Sequence, residues 1–178
     1  MENFKILALS GSLRQRSYNT AAINATTVLA PSGFEIVIGD IGNLPLFNPD
    51  LENERIPSLE KLRKSLNDSS GLILATPEYA HGISGPLKNA LDWLVSGVEF
   101  PHKPIMLINT SPRAFHAQQS LREVLITMSG SIIDRACVSI PLLGSKLDHF
   151  GIIKDENIAS VLKTGLIEFC TAIKAQKT

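Results

Sequence analysis

The chain has 178 residues, of which 44% are hydrophobic and 19% charged, and its 17 basic and 17 acidic side chains give a formal net charge of zero. This composition is typical of a soluble globular protein, and we expect residues 1–178 to form a single domain. The balanced charge gives no indication of binding to nucleic acid or to an acidic membrane surface. No apolar run reaches the roughly 18 residues that a membrane-spanning helix needs, and no secretory signal pattern is visible, so we expect a cytoplasmic protein.

Short apolar runs alternate with helical periodicity along the chain. The first half predicts strands at 4–9, 34–38 and 71–75, a helix from Asn19, an irregular loop at 40–54 and a helix over 58–69. The second half predicts a helix from Pro86, strands at 105–109 and 136–142, and helices through 121–128 and 158–173. This alternation predicts an α/β fold: a flavodoxin-like three-layer sandwich whose five-stranded parallel sheet has the order 2-1-3-4-5, with helices on both faces.

Two isolated cysteines, Cys137 and Cys170, lie in apolar surroundings without a Cys-x-x-Cys spacing. Such cysteines are typical of buried packing residues, so we expect neither a disulfide nor a metal site.

The loop after the first strand, 10–19, has the composition of a phosphate site. It joins a strand to a helix, and the unpaired N–H groups and positive dipole end of a helix favour an anion. Donors that suit a phosphate monoester cluster here: Ser10, Ser12, Arg14, Ser17, Asn19 and Thr20. Gly11 stands alone and no Gly-Lys-Ser/Thr ending is present, so a terminal phosphate such as that of FMN fits better than a dinucleotide or Walker pattern. The alternative is an ordinary turn with a serine cap.

The loop after the third strand, 76–85, combines an aromatic, a carboxylate and an imidazole. A flat heterocycle fits against Pro77 and Tyr79, with backbone hydrogen bonds to its edge. The alternative is a capped loop before the next helix. Because parallel strands end at one edge of the sheet, we expect this loop to meet those at 10–19 and 110–117.

Three motifs carry a family resemblance. They are Gly-Ser-Leu-Arg-x-x-Ser-x-Asn-Thr from Gly11, Leu-Pro-Leu-Phe-Asn-Pro-Asp from Leu44, and Pro-Glu-Tyr-x-x-Gly-x-x-Gly-x-Leu-Lys-Asn-Ala-Leu-Asp-Trp from Pro77. Together they resemble the NADPH-dependent FMN reductase family, which includes quinone, azo-dye and chromate reductases of flavodoxin-like fold.

The resemblance implies bound FMN and an electron donor, NADPH or NADH. The implied reaction is a ping-pong hydride transfer from the donor to flavin N5 and on to a quinone, flavin, azo or similar acceptor. Carried over by motif position, the residues for the phosphate and ribityl chain are Ser10, Ser12, Arg14, Ser17, Asn19 and Thr20. Those for the ring are Pro77, Glu78, Tyr79 and the backbone near Gly82. The resemblance also implies a homodimer or homotetramer.

The third loop departs from the family pattern. Members often read Ser-x-Gly-x-x-Gly there, whereas this chain has Ser111-Pro-Arg-Ala-Phe-His-Ala. Ser111 is still expected at the flavin. Arg113 is a candidate partner for the NADPH 2′-phosphate, and the alternative is a solvated surface charge. The flavin carries the chemistry, so no catalytic side chain is assigned. His81 is a candidate donor to a quinone oxygen, and the alternative is a loop histidine that faces solvent or a neighbouring subunit.

Three other functions compete with a reductase. Ser84 suggests a hydrolase, although its spacing to the neighbouring glycines does not match Gly-x-Ser-x-Gly. A non-catalytic FMN-binding redox module or sensor is the second, and a flavin-free nucleotide-processing enzyme of the same fold is the third. Lys88, Asn89 and Asp92 look catalytic by type but fit ion pairs or subunit contacts on their helix.

Overall fold

The computed structural model describes residues 3–176. Its strands are β1 (Phe4–Ser10), β2 (Phe34–Ile38), β3 (Gly71–Ala75), β4 (Glu78–Tyr79), β5 (Gly82–Ile83), β6 (Pro104–Asn109), β7 (Ser131–Ile132) and β8 (Val138–Ser139). Its α-helices are α1 (Tyr18–Leu29), α2 (Pro57–Asn67), α3 (Gly85–Leu94), α4 (Phe115–Thr127), α5 (His149–Lys154) and α6 (Glu156–Gln176). Two short 3-10 turns lie at Pro49–Leu51 and Asp134–Ala136.

The main sheet is parallel and has the order β2-β1-β3-β6-β7, with β8 also paired to β6. This confirms the predicted flavodoxin-like order. The sheet has six strands rather than the predicted five. The predicted strand at 136–142 was wrong in extent: two short strands, β7 and β8, take its place beside β6, and only β8 lies within the predicted range. The Asp134–Ala136 turn separates them, so each piece pairs with a different part of β6.

Side chains that alternate along β1 divide the core into two layers. Ile6 and Ala8 pack on the side that includes Phe169 of α6. Leu7 and Leu9 pack on the opposite side, against α2, α3 and α4. The sheet therefore lies between two helical layers, as the sequence predicted.

Gly165 permits a close approach between α6 and the region of β8. A Cβ at this position would lie 2.6 Å from Val138 Cγ1 and 2.8 Å from the Ala136 carbonyl oxygen. The glycine therefore serves close packing, and α6 runs through it without a break.

The loop at 40–54 is fastened to α3. Asn89 Oδ1 accepts from the Phe47 amide at 2.7 Å, and Trp93 Nε1 donates to the Pro45 carbonyl oxygen at 2.8 Å. Lys88 pairs with Asp92 one helical turn away. These residues have structural partners, in agreement with the non-catalytic interpretation.

In the described part of the chain, no helix has both the length and the apolar composition needed to cross a membrane.

Candidate functional site

Three loops at the carboxyl edge of the sheet line one cavity. The loops follow β1, β3 and β6, and the cavity has a volume of about 930 Å³. Ligand pockets in proteins typically measure about 300–1,000 Å³, so a cofactor-sized molecule fits. Of the thirteen residues that the sequence suggested for cofactor, donor or acceptor, ten line this cavity: Ser12, Arg14, Ser17, Asn19, Thr20, Pro77, Glu78, Tyr79, Ser111 and Arg113.

The other three predicted residues lie just outside the lining. The Ser10 hydroxyl is hydrogen-bonded to the Thr20 hydroxyl at 2.8 Å, so Ser10 ties the end of β1 to the first turn of α1. Gly82 pairs with Tyr79 across a two-residue hairpin. His81 stacks on His116, with ring centroids 4.3 Å apart. The roles of all thirteen residues toward a ligand stay predictions.

The N-terminus of α1 forms one end of the cavity. Ser17 caps the helix, and its hydroxyl accepts from the Thr20 amide at 3.3 Å. The first turn of α1 carries no acidic side chain, so the positive end of the helix dipole is not neutralised by its own helix. Asn19 is buried, and its side-chain oxygen accepts from Thr110 Oγ1 at 3.0 Å, which ties the first loop to the third.

Four cationic side chains line the cavity: Arg14, Arg16, Arg113 and Lys146. No ion pair within residues 3–176 joins any of them to a carboxylate. The two carboxylates of the cavity lining accept from backbone amides instead, Glu78 from Ala117 and Asp148 from Gly151, each at 2.8 Å. The cavity therefore carries an excess of positive charge that suits a phosphate dianion.

The first and second loops touch through a very small residue. A Cβ on Gly11 would lie 2.7 Å from Thr76 Oγ1 and 2.8 Å from Ser84 Oγ. Glycine is needed here because the two loops approach each other too closely for any side chain.

A wall of the cavity that the sequence did not reveal comes from the segment after β8. Lys146, Leu147 and His149 of this segment line the cavity, and Tyr18 Oη of α1 accepts from the Lys146 amide at 3.1 Å. The available signal was the sheet order, since the segment after the last strand also begins at the carboxyl edge. Its apolar and basic residues gave no ligand motif.

The fold and the cavity define a class: a flavodoxin-like α/β protein whose site suits a planar ligand with a terminal phosphate. A sequence model of the NADPH-dependent FMN reductase family matches residues 4–142. The chain belongs to this family and is an FMN-dependent NAD(P)H oxidoreductase.

Individual relatives agree with this assignment. The chain is 32% identical over 171 residues to the NAD(P)H-dependent FMN reductase of Pseudomonas aeruginosa, covering 93% of this chain and 92% of the relative. It is 31% identical to 2-hydroxy-1,4-benzoquinone reductase of Burkholderia sp., over 97% of this chain and 98% of the relative. The solved structure of FerB, a flavoenzyme NAD(P)H:(acceptor) oxidoreductase from Paracoccus denitrificans, superposes with a TM-score of 0.82 at 27% identity, covering 97% of this chain and 98% of FerB.

Proposed function

We propose that this chain transfers electrons from NADPH or NADH to a quinone or similar small-molecule acceptor by a ping-pong sequence at the cavity, with FMN as the resident cofactor. One observation carries the proposal: ten residues predicted from three separate loops line a single cavity. The Burkholderia relative, which is named for the reduction of a benzoquinone, supports the acceptor class.

The residues present fit FMN. The uncompensated cations and the α1 N-terminus suit its phosphate, and the exposed face of Tyr79 suits its ring. The residues that would hold phosphate and ribityl chain are Ser10, Ser12, Arg14, Ser17, Asn19 and Thr20. Those that would hold the ring are Pro77, Glu78, Tyr79, Gly82 and Ser111. When bound, FMN supplies the redox chemistry by taking a hydride from the donor and passing electrons to the acceptor.

Side chains of this chain bind and orient rather than exchange protons in the hydride step. Arg113 lines the cavity and is exposed, and in this proposal its guanidinium pairs with the 2′-phosphate that distinguishes NADPH from NADH. His81 remains the candidate donor to a quinone oxygen. Because its ring lies outside the cavity lining, that role needs an acceptor that extends toward the hairpin.

Lys146 adds a phosphate contact that the motifs did not suggest. Its backbone amide donates to the side-chain hydroxyl of Tyr18, the first residue of α1. Its exposed ammonium lines the same cavity as Ser17 and Thr20. Replacement of Lys146 with alanine should weaken FMN and leave riboflavin, which lacks the phosphate, unchanged.

Steady-state kinetics test the proposed reaction. With NADPH and a benzoquinone as varied substrates, the ping-pong sequence gives parallel double-reciprocal lines, whereas intersecting lines contradict it. Reduction by NADPH without turnover on any quinone, flavin or azo dye would indicate a redox module or sensor instead. A comparison of acceptors in the same assay ranks quinone against flavin and azo dye.

We also propose that the chain acts as a single-domain subunit of a cytoplasmic homodimer or homotetramer. Leu46 supports an assembly, because it is 84% exposed although the loop that carries it is fastened to α3. Light scattering during size-exclusion chromatography gives the subunit number, and a monomer would contradict this part of the proposal.

A further inference from the structure

Helix α4 is capped by a residue from another loop. Its own N-cap residue is Ala114, which has no side-chain acceptor. The Glu78 carboxylate accepts from the Ala117 amide at 2.8 Å instead. Ala117 is the third residue of α4, and the third amide of a helix is a usual partner of an N-cap side chain. Glu78 therefore replaces the missing cap from 39 residues away, and its negative charge is favoured at this end of the helix.

A second contact joins the same two elements. The rings of His81 and His116 stack with a centroid separation of 4.3 Å and an interplanar angle of 22°. His81 lies in the two-residue turn between β4 and β5, and His116 lies in the first turn of α4. Both turn residues have positive φ, 48° for Ala80 and 59° for His81, although neither is glycine. Such a conformation persists where surrounding contacts enforce it.

The first turn of α4 is continuous with the third loop of the cavity. Within this loop, the Ser111 amide donates to Asn109 Oδ1 at 3.1 Å, and the Arg113 amide donates to Ser111 Oγ at 3.2 Å. The Ala114 amide then donates to the Ser111 carbonyl oxygen at 3.1 Å. Loop and helix start are thus linked turn by turn, so a shift of the helix start would also move Ser111 and Arg113.

We infer that Glu78 and His81 are positioning residues that hold the β4–β5 hairpin and the start of α4 together. The loops after β3 and β6 then form one preorganised side of the cavity. The inference rests on the proposed function, because it concerns how donor and acceptor are received. In this inference the Glu78 carboxylate caps α4. The contact with the flavin ring that we propose for Glu78 is then made by its backbone. The inference also explains why the loop at 110–117 can lack the family's glycines, because here the loop is fixed to the β4–β5 hairpin and does not need to be flexible.

The test compares Glu78→Ala with Glu78→Gln, because the amide oxygen of glutamine can still accept from Ala117. Glu123→Ala is the matched control, since it removes the same charge from an exposed position of α4. Hydrogen exchange of the 114–118 amides is measured together with KM and kcat for NADPH and a benzoquinone. We expect Glu78→Ala to accelerate exchange about tenfold and to raise KM several-fold with kcat nearly unchanged. Glu78→Gln should restore most of both, and Glu123→Ala should change neither.

His81→Asn provides a second variant if Glu78→Ala does not fold, because asparagine tolerates positive φ but cannot form the ring stack. It should accelerate the same amides. Unchanged exchange in both Glu78→Ala and His81→Asn would overturn the inference, and so would equal activity losses in Glu78→Ala and Glu78→Gln with protected amides. An unmodified protein without NADPH–quinone activity would contradict the proposed function instead, while the exchange comparison would still decide whether the two loops are joined.

Discussion

The hydroxyl of Ser84 donates a hydrogen bond of 2.6 Å to the carbonyl oxygen of Gly11. The two residues belong to different cavity loops, and Ser84 is fully buried. Thr76 Oγ1 lies 3.2 Å from the same hydroxyl, so the contact joins the ends of β1 and β3. A serine committed in this way is not an exposed nucleophile, and the structure therefore gives the hydrolase alternative no support.

Replacement of Ser84 with alanine should destabilise the fold without abolishing reductase activity. The Gly11 carbonyl would lose its buried donor, which costs about 1–3 kcal/mol. Urea denaturation measures the free energy of unfolding, and Ser120→Ala, at an exposed position, is the control. Complete loss of activity in a folded Ser84→Ala protein would restore a chemical role for this residue.

Arg14→Ala should weaken FMN specifically through the phosphate. The loss of a charge-assisted hydrogen bond costs about 1.5–3 kcal/mol, which raises the dissociation constant for FMN roughly tenfold or more. Fluorescence titration with FMN and with riboflavin separates the phosphate from the ring, and riboflavin affinity should not change. Arg55→Ala is a suitable control, because the Arg55 side chain is 85% exposed and not part of the cavity lining. An equal loss of affinity for FMN and riboflavin would show that Arg14 does not contact the phosphate.

Arg113→Ala should reduce discrimination between the two donors. If the guanidinium pairs with the 2′-phosphate, KM for NADPH rises about tenfold while KM for NADH stays constant. Steady-state kinetics with a fixed quinone concentration measure both constants. Parallel increases for NADPH and NADH would show that Arg113 acts on the loop rather than on the phosphate.

Cys170 predicts a loss of stability at alkaline pH. Burial raises the pKa of its thiol to about 12, because the apolar core disfavours the thiolate. The folded chain therefore keeps this proton when the unfolded chain, with an ordinary thiol pKa of about 8.5, has lost it. The contribution of Cys170 to the free energy of unfolding is complete below the pKa of the unfolded thiol and falls as pH rises toward 12. Denaturation of the unmodified protein and of Cys170→Ala at pH 8 and pH 11 tests this, since the stability difference between them should shrink at the higher pH.

The strands β1, β2, β3 and β6 were predictable to within a residue because each is an apolar run bounded by polar or turn-forming residues. The fifth strand was not, because the register of its two short pieces is set by pairing with β6. The β4–β5 hairpin and α5 were missed for a related reason: strands of two residues and a helix of six give too short a periodicity.

The residues that line the cavity were predictable where their grouping is local. The donors at 10–20 stand in one loop at a strand-to-helix junction, so their grouping is visible in the sequence. The contact between Tyr18 and Lys146 spans 128 residues and was not visible, and neither was the cap that Glu78 provides to α4. Side-chain roles that depend on such distant partners emerge only from the fold.

A crystal structure of the protein grown with excess FMN tests the central claim most directly. We expect density for the phosphate within hydrogen-bond distance of Arg14 and the Ser17–Thr20 turn, with the ring lying against Pro77 and Tyr79. An empty cavity, or a phosphate beside Tyr79 instead of beside the Ser17–Thr20 turn, would contradict the proposed FMN site.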